Sequence, residues 1–290
     1  MIAANLHAVP ARRQAFSLVE LLVVVSIILV LMALLGAGVS AARVSQRKQA
    51  TQALIARIDE VLKQHFATYA SRAVPASALT GSNKSAARAA YLRRLASAEM
   101  PDSWADVQAI VNNTAGVPRT SPQSAYVGVF QAIRSLNAAW PTSDYADAEC
   151  LFMIVMQGGI ADCLDCGAIG SSAKGDIDGD GAFEFLDAWG NPIRYALWPA
   201  ALELPSGGER FFSTTAPFTV GAVAPAKGGT MRPLIFSGGP DGTNAIRVNG
   251  SGNLSAAGTQ CGDPAGSDVG GPDGAGATDN ITNFDAEAAR

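Results

Sequence analysis

Arg12-Arg13-Gln14-Ala15-Phe16-Ser17-Leu18-Val19-Glu20 leads into a stretch that runs from Leu21 to Ala42 without a single charge. The whole run, residues 16–42, is long enough to cross a bilayer, which takes about 20 apolar residues. Glu20 interrupts its start. A carboxylate at membrane depth costs roughly 2.5 kcal/mol or more. A chain that keeps one there is expected to supply a partner for it. Arg12 and Arg13 precede the run, and Arg43, Arg47 and Lys48 follow it, which gives a weak orientation signal. A cleaved secretory signal is the plainer reading, with Val39-Ser40-Ala41 as its cleavage site. Against it stand the length of the apolar run, which exceeds the usual signal core, and Glu20 itself.

Outward from this segment, the helical pattern continues. Leu54, Ile58, Val61, Leu62, Phe66 and Tyr69 fall on one stripe, with Arg57, Asp59, Glu60 and Lys63 elsewhere. No proline occurs between Phe16 and Arg72. One helix from the membrane to about residue 72 would reach about 85 Å at roughly 1.5 Å per residue; a kink or break at Gly36 or Gly38 is the alternative. Residues 73–170 read as a helical insertion, with helices expected over 85–98, 104–111, 124–139 and 144–157. The last of these carries Cys150-Leu-Phe-Met-Ile-Val-Met156, apolar all round and therefore expected to be buried.

From about residue 190 the period changes. Short strands separated by Gly and Pro are expected over 192–198, 211–214, 218–223, 234–237 and 245–248. The tail over 250–283 is rich in Gly, Asp, Ser and Asn and needs something such as a metal to order it. The fold class is therefore α+β: a long N-terminal helix on a small antiparallel sheet. The expected divisions are a basic leader over 1–15, a membrane helix over 16–42, a stem over 43–72, the insertion over 73–170, and a sheet with acidic loops over 171–290.

The strongest local motif is Asp176-Ile-Asp178-Gly-Asp180-Gly181-Ala182-Phe183-Glu184-Phe-Leu-Asp187. It fits positions one, three, five and six of a calcium-binding EF-hand loop. Ala182 would offer its carbonyl, Glu184 would bind directly or through water, and Gly181 permits the sharp turn. Asp187 occupies the last position, where a longer Glu is usual. The competing reading is an Asp-Gly turn with solvated charges.

A net charge of −4 with only 16% charged residues excludes a basic nucleic-acid surface. The four cysteines, Cys150, Cys163, Cys166 and Cys261, all follow the apolar run. Cys163-Leu-Asp-Cys166 has the spacing of a redox or zinc half-site, but no second such pair exists. In an exported head, two structural disulfides are expected, with three pairings open. His7 and His65 are the only histidines, and neither has a Ser or Cys partner in the sequence pattern. No hydrolase triad or phosphate loop is visible, so an enzyme is not expected.

Ala15-Phe16-Ser17-Leu18-Val19-Glu20 resembles the processing site of type IV pilins and type II secretion pseudopilins. The resemblance implies a cut between Ala15 and Phe16 by a prepilin peptidase that also methylates the new amine. The family usually has Gly before the cut; this chain has Ala15. The freed amine of one subunit and Glu20 of its neighbour would then pair, lowering the burial cost and setting the register. Asp187-Ala-Trp189-Gly190-Asn191-Pro192-Ile193-Arg194-Tyr195 is similar to a segment of the major pseudopilin that leads into the first strand of its sheet. Gly-Asn-Pro is a turn signal, and Trp189 can pack at the base of the stem.

Ser237-Gly-Gly-Pro-Asp241-Gly242 and the closure Asp279-Asn280-Ile281-Thr-Asn283-Phe284-Asp285 resemble that family's C-terminal calcium loop. Carried over, Asp241, Asp279 and Asn280 are expected ligands, with Asn280 standing where the family has a second Asp. Gly-Pro-Asp-Gly recurs at Asp273, so either Asp241 or Asp273 would close the loop.

The resemblance implies a filament subunit rather than an enzyme. Its partners would be copies of itself, other pseudopilins, the prepilin peptidase, the inner-membrane assembly platform and the lipid bilayer. The head would lie in the periplasm, tethered to the inner membrane by one span. Two alternatives remain open: a type IV pilus minor subunit, and a membrane-anchored calcium-dependent binding module or enzyme.

Overall fold

The computed structural model describes residues 18–69, 71–137, 145–157, 169–197, 233–243 and 280–283. It is α+β, with helices first and short antiparallel strands after them. The chain divides into two compact units, Met1–Gln46 and Arg47–Arg290.

Helix α1 spans Leu18–Thr68 without interruption, so Gly36 and Gly38 do not end it. Its part in the first unit exposes Leu18, Leu22, Ile27, Leu31 and Met32. Among the described residues no helix is long and apolar enough to cross a membrane. Phe16, Ser17 and the side chains of 34–38, 40 and 41, all within the expected span, lie outside the description.

In the second unit, α1 follows the expected stripe. Ile55, Ile58, Leu62, Phe66 and Tyr69 are buried. Against this stripe and each other pack α2 (Lys84–Glu99), α3 (Trp104–Val111), α4 (Ser121–Leu136) and α5 (Ala146–Phe152). The sequence explains their starts. Ser103 accepts the Asp106 N–H at 3.3 Å and so caps α3. Before α4, the Thr120 N–H donates to Gln123 Oε1 at 3.0 Å, and Pro122 sits in the first turn, where its missing N–H costs nothing. Helix α5 is buried from Asp147 to Phe152 and continues as a π-helical turn over Met153–Gln157.

Two small antiparallel sheets follow. Strands β1 (Lys174–Gly175) and β2 (Glu184–Phe185) pair across the acidic loop. Strands β3 (Arg194–Ala196), β4 (Leu234–Ser237) and β5 (Ile281–Thr282) form the second sheet in that order. Its register sets Tyr195 opposite Ile235 and Phe236 opposite Thr282. The strands expected over 211–214, 218–223 and 245–248 lie outside the described residues.

Candidate functional site

Glu20 lies in the first turn of α1, where the helix dipole favours a carboxylate. It is exposed among exposed apolar side chains. Ala15 and Phe16 lie outside the described residues.

The acidic loop joins β1 to β2, so it is the tip of a hairpin rather than a link between two helices. Asp176 shapes it: Oδ1 accepts the N–H groups of Gly179 and Asp180, at 2.7 and 3.2 Å, and Oδ2 that of Gly181 at 3.1 Å. Gly181 has φ +99°, a conformation that side-chain-bearing residues rarely adopt. Asp180 Oδ1 accepts the Ala182 N–H at 2.8 Å.

The loop folds onto α5. Oxygens of Glu149, Asp178 and Asp180 all lie within 4.8 Å of one another. Glu149 is buried, and its Oε2 accepts the indole N–H of Trp104. Glu184, wholly buried on β2, accepts the Ile177 N–H with Oε2 at 3.2 Å, while its Oε1 has no hydrogen-bond partner. Burial foremost pushes its carboxyl up to about 8; the Ile177 N–H opposes this, and Glu149, Asp178 and Asp176 add to it.

Asp187, the expected last ligand of the loop, is engaged elsewhere. Its Oδ1 accepts the N–H groups of Trp189 and Asn191, at 2.8 and 2.9 Å, and its Oδ2 the Ser237 hydroxyl at 2.7 Å. Asn191 Nδ2 donates to the Gly239 carbonyl at 3.1 Å, and the Ala188 N–H to Thr51 Oγ1 on α1 at 3.1 Å. The Trp-Gly-Asn-Pro turn is thus bound both to the Ser237-Gly-Gly-Pro turn and to the stem. Trp189 is partly buried against the core.

Asp241 is exposed and accepts the Thr243 N–H at 2.7 Å. Asn280 immediately precedes β5, and Asp273 and Asp279 lie outside the described residues. The residue after β5, Asn283, has a role that sequence reasoning missed. Its Nδ2 donates to Asp59 Oδ1 on the stem at 2.7 Å and to the Pro233 carbonyl at 3.1 Å, and its Oδ1 accepts the Ile235 N–H at 3.2 Å.

Cys150 is a free thiol, wholly buried in α5. The two expected disulfides need Cys163, Cys166 and Cys261 alongside it. The apolar packing of α5 encloses the sulfur, and burial pushes its pKa well up, holding it as an unreactive thiol. Cys163, Cys166 and Cys261 lie outside the described residues. His65 is a packing residue: its Nε2 lies 3.0 Å from the Tyr69 hydroxyl and 3.2 Å from Glu99 Oε2, all buried.

Residues 10–36 match the family model for the Prokaryotic N-terminal methylation motif. No curated protein and no solved structure matches the chain. The match covers the N-terminal segment alone; a motif of this type implies processing by a prepilin peptidase and pilin-like assembly.

Proposed function

We propose that the chain is a structural subunit of a type II secretion pseudopilus, a filament component rather than an enzyme. The methylation motif over residues 10–36, with Glu20 in the first turn of α1, carries this reading. Cleavage before Phe16 puts an amine within five residues of Glu20, and adjacent copies can pair the two charges in a medium where neither tolerates isolation.

The secretion branch, rather than the pilus, is favoured by Trp189-Gly190-Asn191-Pro192 and its bonds to the Ser237 turn and Thr51. In this reading one span holds the protein in the inner membrane with the head in the periplasm. The assembly platform and other pseudopilins are its partners, and the head's acidic loops take calcium.

Mass spectrometry of the mature N-terminus is the test. A chain starting at N-methylated Phe16 is expected; an intact Met1, or a start near Ala42, would overturn the reading. Glu20→Val separates anchoring from assembly. The variant is expected to insert normally and to fail to form filaments, and normal filaments would refute the charge pairing.

A further inference from the structure

We propose that Glu149, Asp178, Asp180 and Glu184 form a binding site for a calcium-type divalent cation that clamps helix α5 to the 176–187 loop. The inference rests on the calcium part of the reading above and deepens it by naming the ligands; it stands or falls apart from filament assembly, since a tethered binding module would hold the same ion. It also differs from the C-terminal loop around Asp241.

Three observations support it. Oxygens from two separate elements, Glu149 on α5 and Asp178 and Asp180 on the loop, converge within 4.8 Å of one another. Two oxygens on opposite sides of a calcium ion, each about 2.4 Å from it, lie about 4.8 Å apart, so the spread suits one shared ion. Independently, Glu184 is wholly buried with Oε1 lacking any hydrogen-bond partner. Its other oxygen accepts the Ile177 N–H, so the carboxylate sits at the loop between Asp176 and Asp178, beside the three converging acids rather than among them. A buried polar atom without a partner is costly, and the charges that bear on Glu184 are those of Glu149, Asp178 and Asp176, all negative. Third, the donors are all oxygens, which selects a hard cation over zinc or copper.

Glu149 also answers a deficiency of the loop. An EF-hand loop closes its ion with a bidentate Glu at position twelve. Here that position is Asp187, whose two oxygens hold the Trp189 turn and Ser237. Glu149 comes in from α5 instead, with Trp104 bonded to its Oε2 and fixing its orientation. The ion would thereby join the helical insertion to the β1–β2 hairpin. Exposed Asp178 marks the side of entry.

The test uses the full chain in detergent micelles, first stripped with a chelator. Calcium is raised through about 10⁻⁴ to 10⁻³ M, the range of extracellular sites, while the melting temperature is followed. Terbium is added in parallel and its emission excited through tryptophan, because the Trp104 indole lies beside Glu149. We expect calcium to raise the melting temperature and to displace a tryptophan-sensitised terbium signal. Glu149→Gln and Glu184→Gln should each abolish both responses while melting in chelator no lower than the parent. Asp178→Asn, at an exposed loop position, should weaken calcium about tenfold or more through its lost charge, and it serves if a buried variant does not fold. Asp241→Asn should leave both responses unchanged. Trp104→Phe should lose the sensitised emission and weaken, without abolishing, the calcium effect, since Glu149 keeps its carboxylate but loses the bond that orients it. A parent chain that ignores calcium overturns the site. So does a calcium response that survives in Glu184→Gln or is unweakened in Asp178→Asn.

Discussion

Glu99 and Glu184 are both wholly buried in the same head, yet their surroundings are opposites. Glu99 is met by donors from the chain. The Tyr69 hydroxyl donates to Oε2 at 2.8 Å, His65 Nε2 lies 3.2 Å from the same oxygen, and the Arg72 guanidinium pairs with Oε1. Glu184 is met by one backbone N–H and a group of carboxylates. Burial pushes both carboxyls up. At Glu99 the bonds from His65 and Tyr69, with the charge of Arg72, outweigh burial and bring it below 4.5. At Glu184 the neighbours reinforce burial. Depth therefore does not fix what a buried carboxylate does; the sign of its neighbours does. Glu99 ties α2 to the end of the stem as a finished structural joint, whereas Glu184 belongs to a site built to meet a cation.

The largest expected effect comes from breaking the finished joint. Glu99→Ala strips the partner from Tyr69, His65 and Arg72 together and should destabilise the head by about 3–5 kcal/mol, as when one member of a buried pair is removed. Urea denaturation measures it; a loss under about 1 kcal/mol would mean that the joint contributes little beyond ordinary hydrogen bonds. The same residue sets a pH signature. Its folded pKa is depressed, so its contribution is fully present above the unfolded value near 4.5 and is lost as pH falls through the lower folded value. The melting temperature should therefore fall on acidification below 4.5, and Glu99→Gln should flatten that arm.

A middle-sized effect is expected at Asn283, which holds β4 and the stem helix together through Ile235, Pro233 and Asp59. Asn283→Ala leaves the Ile235 N–H and one oxygen of Asp59 without this partner. A cost of about 1–3 kcal/mol is expected by the same denaturation measurement. Asp59 also pairs with Lys63 at 2.9 Å, so the loss at that end is partly offset.

How far these sites could be read from sequence follows from what sets each one. The stem stripe and the bounds of α3 were legible because side-chain periodicity decides them, whereas α4 begins at Ser121, three residues before the expected 124, because the Thr120–Gln123 cap and Pro122 set its start. The turn of the Asp-rich loop was legible, but its frame was not: β2 at Glu184–Phe185 is two residues long and gives no alternation to detect. Asp187 was assigned to the loop because local spacing carries no information about Ser237, fifty positions away. Glu149 was overlooked although a signal existed. It is an acid at the head of the apolar run 150–156, and a charge beside a run that must be buried needs a partner. Glu99 carries no such mark, since its partners gather only when α1 and α2 pack.

The smallest expected effect is the most discriminating. In chelator at neutral pH, Glu184→Gln should change stability by roughly 0.5 kcal/mol or less, although the residue is as buried as Glu99. Glutamine keeps the shape and can still accept from Ile177, and the parent carboxyl, pushed up to about 8, is itself mostly uncharged at neutral pH, so little changes on substitution. With calcium at about a hundred times its dissociation constant, the parent should gain about 2.7 kcal/mol and the variant nothing. A loss of about 3 kcal/mol or more in chelator, the size expected when one member of a buried pair is removed, would place Glu184 in the same class as Glu99, a joint completed by the chain itself. The contrast between the two glutamates would then be one of geometry alone.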